Sequence, residues 1–385
     1  MKIAAQRFTA LDVFRGMTIC FMIIVNTPGN GDTSYAPLHH AQWHGFTPTD
    51  LVFPSFLFAV GNAMSFVMPK WATLSQSQVL WKIFKRTFII FLLGFLMYWF
   101  PFVKRDITGN FIFSPFDETR VFGVLQRIAL RYGVASLIVY YCKPKTTVII
   151  SIIFLLAYWL LLYTLCDAAD PLGLQDNAVM RIDQWLLGEK HLYHDNGGVA
   201  FDPEGLLSTL PAVVNVTGGY LTGKYIQQNV RLNDETGQGN FFKGLTVLLL
   251  FGAALLFLAY SWNLSFPVNK KLWTSSFVVL TIGIDCILLA ALIYIISYKN
   301  KTRWTYFFEV FGRNPLFIYL LSELAAILLY FFRIDENTTC YQWLYQNIFI
   351  HAGAYFGSLL FAIAFMILCW LAGYFLDKRK IYIKV

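Results

Sequence analysis

The sequence predicts an all-α polytopic membrane protein of about ten transmembrane helices with both termini cytoplasmic. Three observations predict it. Hydrophobic residues make up 57% of the 385 residues and charged residues 14%, where a soluble domain carries roughly 25% charged. The apolar residues gather into separate runs of about 18–25, long enough to cross a bilayer, and these do not alternate as the strands of a membrane barrel would. The basic residues of the connecting loops fall unequally on alternate sides.

The runs lie at roughly 11–28, 50–69, 84–103, 119–142, 146–166, 204–224, 241–262, 272–298, 305–332 and 352–376. The first follows Met1–Arg7 and resembles a signal peptide, but it contains Asp12 and Arg15 and no small-residue cleavage site closes it, so it reads as a retained span. With ten crossings, Lys2, Arg7 and the lysines and arginines around 70–86, 143–145, 224–243, 299–303 and 378–384 share one side. That side holds eighteen basic residues against eight on the other, and the richer side is expected to be cytoplasmic. The chain then forms a single transmembrane domain over 1–385, with its longest loop, about 167–203, outside the cytoplasm. That loop is acidic and ends in Phe201-Asp202-Pro203-Glu204-Gly205. Asp before Pro with Glu in the next turn reads as a helix start, with a substrate-contacting Asp202 as the alternative. No internal repeat supports an inverted-repeat transporter. The net charge of +8 belongs to short loops beside the spans and is no nucleic-acid footprint, and the six cysteines form no CxxC pair.

Charge inside the spans is the first functional signal, because each buried charge needs a partner or a wet cavity. Asp12 and Arg15 are three residues apart, and Glu309 and Arg313 four apart before Pro315, so both pairs can close locally. Arg15 and Asn26 are nearly three helical turns apart, giving the first span a polar stripe about 16 Å long. Arg120, Arg127 and Arg131 fall on one face of the fourth span, and no carboxylate lies one turn from Arg127 and Arg131. They await a distant acid or a polyanionic ligand such as coenzyme A. The second signal is His39-His40-Ala41-Gln42-Trp43-His44, which holds half of the six histidines just before the second span. A metal pair from His40 and His44 lacks a third ligand at supporting spacing. His40 reads as a catalytic group or an interfacial residue, and Asp50 as a helix N-cap or an acid partner.

Longer strings carry a resemblance. Leu11-Asp12-Val13-Phe14-Arg15-Gly16, Val25-Asn26, the run His40 through Phe56 with its Trp43-His44-Gly45-Phe46-Thr47 and Asp50-Leu51-Val52-Phe53-Pro54, Gly123 through Arg127, His191-Leu192-Tyr193, Phe201 through Gly205, Phe266 through Trp273 and Gly312-Arg313-Asn314-Pro315 stand in order along nearly the whole chain. Together they resemble the heparan-α-glucosaminide N-acetyltransferase family of transmembrane acetyltransferases. The resemblance implies acetyl-CoA as cytoplasmic donor, an amino sugar of glucosamine type as acceptor on the far side, His40 as catalytic residue and Asn26 in the active site. His40 would either carry the acetyl group as an acyl-imidazole or deprotonate the acceptor amine. Arg15, Arg127, Arg131, Arg313 and Asn314 are expected at the donor. Asp50, His191, Asp202, Glu204, Asn269 and Lys270 are expected at the acceptor, and the long loop, with His191, Tyr193, Asp195 and Asp202, is expected to cap the outer mouth. No metal is expected. A sugar transporter and an O-acetyltransferase of a surface polysaccharide remain the rival readings. A bacterial inner membrane is the expected location, the lipid bilayer an expected partner, and a homodimer is left open.

Overall fold

A computed structural model describes residues 8–106, 109–166, 170–175, 177–194, 198–230 and 237–383. Asp195 lies outside the described residues. In chain order the elements are α1 (Thr9–Asn26), α2 (Pro48–Val67), α3 (Gln76–Trp99), a hairpin of β1 (Val103–Arg105) and β2 (Phe111–Phe113), α4 (Val124–Tyr141), α5 (Pro144–Thr164), α6 (Ala178–Leu187), α7 (Thr209–Asn229), α8 (Gly237–Asn263), α9 (Ser275–Ile293), α10 (Thr305–Arg313), α11 (Pro315–Phe331), α12 (Cys340–Leu344) and α13 (Ala354–Lys378).

The protein is an integral membrane protein built of helices. Among the described residues, six helices are long and apolar enough to cross a bilayer, and a bent pair, α10 with α11, would make a seventh. α3, α4 and α7 fall short of that apolarity. Lys82, Lys85 and Arg86 lie in α3, Arg127 and Arg131 in α4, and the amides and hydroxyls of Asn215, Thr217 and Thr222 in α7. These polar and charged groups lower the hydropathy of each run, which is why composition alone marks it weakly. α5 and α8 turn Ile149, Ile152, Ile153, Leu160, Leu250 and Phe257 outward as a lipid-facing surface, whereas α2 and α9 are buried along most of their length.

α2 packs along α7 and α1 along α10, and small residues set both contacts. A side chain on Gly61 or Gly219 would run into the facing backbone carbonyls of Val216 and Phe58, and one on Gly16 or Gly312 into those of Phe308 and Asp12. In a bilayer, such close approach of backbones replaces the hydrophobic drive that holds soluble helices together.

Two boundaries differ from the sequence reading, and one run is broken at the proline that interrupts it near its middle. The span expected from 204 begins at Thr209. Asp202 is not its N-cap but bends the chain before it, its Oδ1 accepting from the Glu204 N–H at 2.9 Å. α4 begins at Val124, so Arg120 stands in the preceding loop and not on a helical face shared with Arg127 and Arg131. The run 305–332 is two helices meeting at 83°, with Asn314 at the break and Pro315 opening the second. Proline has no N–H to offer the preceding turn, and it is tolerated at a first helical position.

Candidate active site

His40 lies in the loop between α1 and α2. The start of α2 holds it there. Asp50, fully buried, closes a capping box with Thr47: its Oδ2 accepts from the Thr47 N–H at 2.9 Å, the Thr47 hydroxyl at 3.0 Å and the Ala41 N–H at 3.2 Å. Its other oxygen, Oδ1, accepts from His40 Nδ1 at 2.7 Å. Thr47, not Asp50, is the N-cap of α2; Asp50 stands three residues on, where it closes the capping box and partners His40. Its burial keeps it behind His40, away from the acceptor contact expected for it. An ionised Asp50 holds the imidazole proton on Nδ1 and leaves Nε2 with a lone pair.

Lys270 comes from the loop between α8 and α9. Its Nζ is 3.1 Å from Nδ1 and 3.0 Å from Nε2 of His40. Nearly equal distances to two ring nitrogens that point apart place the amine against the ring and in line with neither. The loop is built for this. Asn269 is buried, its Oδ1 accepting from the Leu272 N–H at 2.8 Å and its own N–H donating to Thr274 Oγ1 at 3.0 Å, while Gly45 N–H donates to the Val268 carbonyl at 2.8 Å. Asn269 thus folds the turn that presents Lys270. Burial lowers the Lys270 pKa to about 8, with Glu204 and Asp50 opposing that shift. The His40 side chain keeps 44% of its surface exposed, yet it sits in a recess. Burial and the Lys270 cation hold its pKa below the ordinary 6.5 although Asp50 pulls the other way.

Above this pair stands a cluster that local sequence signals did not reveal. Arg120 forks onto Asp202 at 2.9 and 2.7 Å and reaches Glu204 at 2.8 Å, with its guanidinium plane near the rings of Tyr98 and Tyr193, each about 5 Å away. Asp202 is fully buried by this pairing and Glu204 nearly so. Burial alone would raise the Glu204 pKa, but Arg120, Arg127 and Lys270 outweigh it and pull it below the ordinary value. His191 supports the cluster from outside: its Nδ1 lies 2.7 Å from the Thr119 carbonyl and its ring rests against Phe116. The long loop docks on the histidine loop through Trp43, which donates to the Leu172 carbonyl at 2.8 Å and packs on Phe201.

Asn26 ends α1 and donates to Glu323 Oε1 of α11 at 3.2 Å. No hydrogen bond joins Asn26 to His40 among the described residues. Glu323 and Tyr98 both lie within electrostatic reach of Tyr319, so a run of polar side chains links Asn26 to the Arg120 cluster.

Tyr319 also lines a cavity of about 520 Å³ that opens at the end of the bundle opposite His40 along α1 and α2. Its wall carries Arg15, Ile19 and Met22 of α1, Phe56 and Met64 of α2, Arg86 of α3, Leu125, Ile128 and Tyr132 of α4, Arg313 and Leu316 of the bent pair, and Tyr382 and Ile383. This volume lies in the range of small-molecule sites, about 300–1,000 Å³. Arg15 pairs with Asp12 at 2.8 Å and caps the Gly312 carbonyl. Arg313 pairs with Glu309 at 2.5 Å, as its spacing predicts, and with Asp377 at 2.8 Å. Arg86 stacks over Tyr132 at 4.6 Å.

Three residues expected at the donor do not line this cavity. Arg127 and Arg131 leave α4 on the side away from Leu125, Ile128 and Tyr132 and do not line the cavity. Arg127 bonds Ser208 and stacks on Trp273 at 4.3 Å. Asn314 is buried with its side chain spent on the backbone of the C-terminal segment: Nδ2 donates to the Ile381 carbonyl at 3.0 Å and Oδ1 accepts from the Ile383 N–H at 2.9 Å. It acts on the cavity only through Tyr382 and Ile383. Among the described residues no three His, Cys, Asp or Glu side chains gather as a metal site.

Residues 7–183 match the family model described as heparan-alpha-glucosaminide N-acetyltransferase, catalytic. The heparan-alpha-glucosaminide N-acetyltransferases of Mus musculus and Homo sapiens are 27% and 28% identical to this chain, over 99% and 98% of its length and 61% and 60% of their own. The chain therefore spans about three fifths of the length of these relatives. The resemblance read from the motifs is borne out: the chain is similar to the heparan-alpha-glucosaminide N-acetyltransferases over nearly its whole length, and the match to the catalytic family model spans residues 7–183.

Proposed function

We propose that the protein is a transmembrane acetyltransferase that moves an acetyl group from cytoplasmic acetyl-CoA to the amine of a glucosamine-type sugar on the other side. The observation that carries this reading is the Asp50–His40–Lys270 array, an imidazole oriented by a buried carboxylate and flanked by an amine. The cavity at the far end of α1 and α2 suits the donor: Arg15, Arg86 and Arg313 offer cationic groups to a phosphorylated head, and its inner wall of Met22, Phe56 and Tyr319 offers an apolar channel for the acyl arm. The distribution of basic loops supports ten spans with this cavity on the cytoplasmic side and His40 outside.

In the reaction the thioester C–S bond breaks and a C–N bond forms. His40 Nε2 is the group with a free lone pair, and it serves in one of two ways. It attacks the acetyl carbonyl, giving an acetyl-imidazole that the amine then opens, or it takes the amine proton as the amine attacks directly. In both routes the sulfur leaves as coenzyme A thiolate and is protonated, and the amine loses one proton to His40. The Lys270 ammonium opposes the negative charge that develops on the carbonyl oxygen. Glu204, held ionised by its cations, and Tyr193 at the outer face suit an amino sugar.

The test uses radiolabelled acetyl-CoA and purified protein in detergent, with and without glucosamine. Label on the sugar that disappears in His40→Ala is the expected result. Absence of acetyl-CoA binding to folded protein would overturn the reading and favour a transporter. Acetyl-CoA binding and hydrolysis without transfer to glucosamine would overturn the acceptor assignment alone.

A further inference from the structure

The mechanism leaves one buried cationic pair unused. Arg127 and Arg131 stand one turn apart on α4 and have no solvent exposure. Arg127 donates to Ser208 Oγ through Nη2, and its Nε and Nη1 have no acceptor; Nε, Nη1 and Nη2 of Arg131 have none either. Five of the six guanidinium nitrogens are thus orphaned among the described residues. The surrounding acids do not supply the missing acceptors. Asp202 and Glu204 are bonded to Arg120. Asp183 gives Oδ1 to the Leu206 N–H at 2.9 Å, its Oδ2 is buried and bonds neither arginine, and burial pushes its pKa up to about 7, so it is only partly ionised near neutrality. Tyr158 is within electrostatic reach of both arginines, but its hydroxyl is spent on the Leu272 carbonyl.

Ordered water would satisfy donors and leave two like charges facing each other in a low-dielectric interior. A negative charge answers both needs. Neither guanidinium touches solvent or the donor cavity, so a sugar acid or a phosphorylated head is too large to reach them. We propose that Arg127 and Arg131 hold a small monovalent inorganic anion, chloride under physiological conditions, as a fixed counter-ion beside the start of α7. Through Ser208 and Trp273, which donates to Asn215 Oδ1 at 3.1 Å, the anion ties α4 to α7 and to the loop carrying Lys270. The inference does not depend on the acetyltransferase reading.

The thermal midpoint of the purified full chain in detergent would be compared in potassium chloride, bromide and gluconate at equal ionic strength. The expected result is a saturable rise of several degrees in both halides over gluconate, lost in Arg131→Met. Identical midpoints in halide and gluconate would overturn the proposal, as would a halide response retained in Arg131→Met. Should that variant fail to fold, wild-type crystals grown in bromide decide. An anomalous peak within hydrogen-bond distance of Arg131 supports the site, and its absence there sinks it.

Discussion

Replacing Asp50 with Asn isolates the role of the carboxylate from that of the helix cap. Three donors converge on Oδ2, from Ala41, Thr47 and the Thr47 hydroxyl, at 3.2, 2.9 and 3.0 Å. An asparagine amide would keep its oxygen there, because its NH₂ would meet three donors on that side and lose all three bonds. The amide nitrogen then faces His40 Nδ1 across the present 2.7 Å contact and donates where Asp50 accepts. That forces the imidazole proton onto Nε2 and removes the reactive lone pair. The expected loss in kcat is about 10²–10⁴-fold, the usual worth of a positioned base. Loss of one charge-assisted hydrogen bond costs about 1.5–3 kcal/mol of stability, leaving the capping box in place. Asp50→Ala serves as control, losing the cap as well, worth about 0.5–2 kcal/mol. The assay is transfer of labelled acetyl from acetyl-CoA to glucosamine, with the thermal midpoint measured on the same preparation. A folded Asp50→Asn protein that keeps kcat within about threefold of wild type would refute the reasoning.

The pH dependence follows from two groups outside the spans. His40 acts unprotonated and its pKa lies below 6.5, so kcat/KM should rise with pH through that pKa; Lys270 acts protonated, so the rate should fall as pH rises through about 8. In Lys270→Met the upper limb should vanish and the lower limb move upward, since the Lys270 cation helps to lower His40; a profile superposable on wild type rejects a role for Lys270. Arg86→Gln, which breaks no ion pair among the described residues, should raise the KM for acetyl-CoA about tenfold with kcat little changed. An unchanged KM removes Arg86 from the donor site. Arg120→Met strands the buried Asp202 and Glu204 and should destabilise the fold by about 3–5 kcal/mol, read from denaturant unfolding. A midpoint equal to that of wild type contradicts the pairing.

Contacts between neighbours along the chain were legible in the residues alone. Apolar runs of bilayer length located the helices, and i to i+3 or i+4 spacing located the Asp12–Arg15 and Glu309–Arg313 pairs, because those contacts close within one helical turn. The break at Pro315 was legible for the same local reason. His40 stood out because titratable residues are rare in this chain and cluster before α2. Partners that arrive from distant parts of the chain are set by how the helices pack. Lys270 reaches His40 across 230 residues, Glu323 reaches Asn26 across 297, and Asp202 meets Arg120 across 82. No periodicity encodes such pairs. Likewise a helical wheel puts Arg127 and Arg131 on one face of α4, but only the packing of that helix decides whether the face meets the donor cavity or Ser208 and Trp273. Intramembrane charges must be satisfied somewhere, which the sequence states; where they are satisfied is a property of how the helices pack.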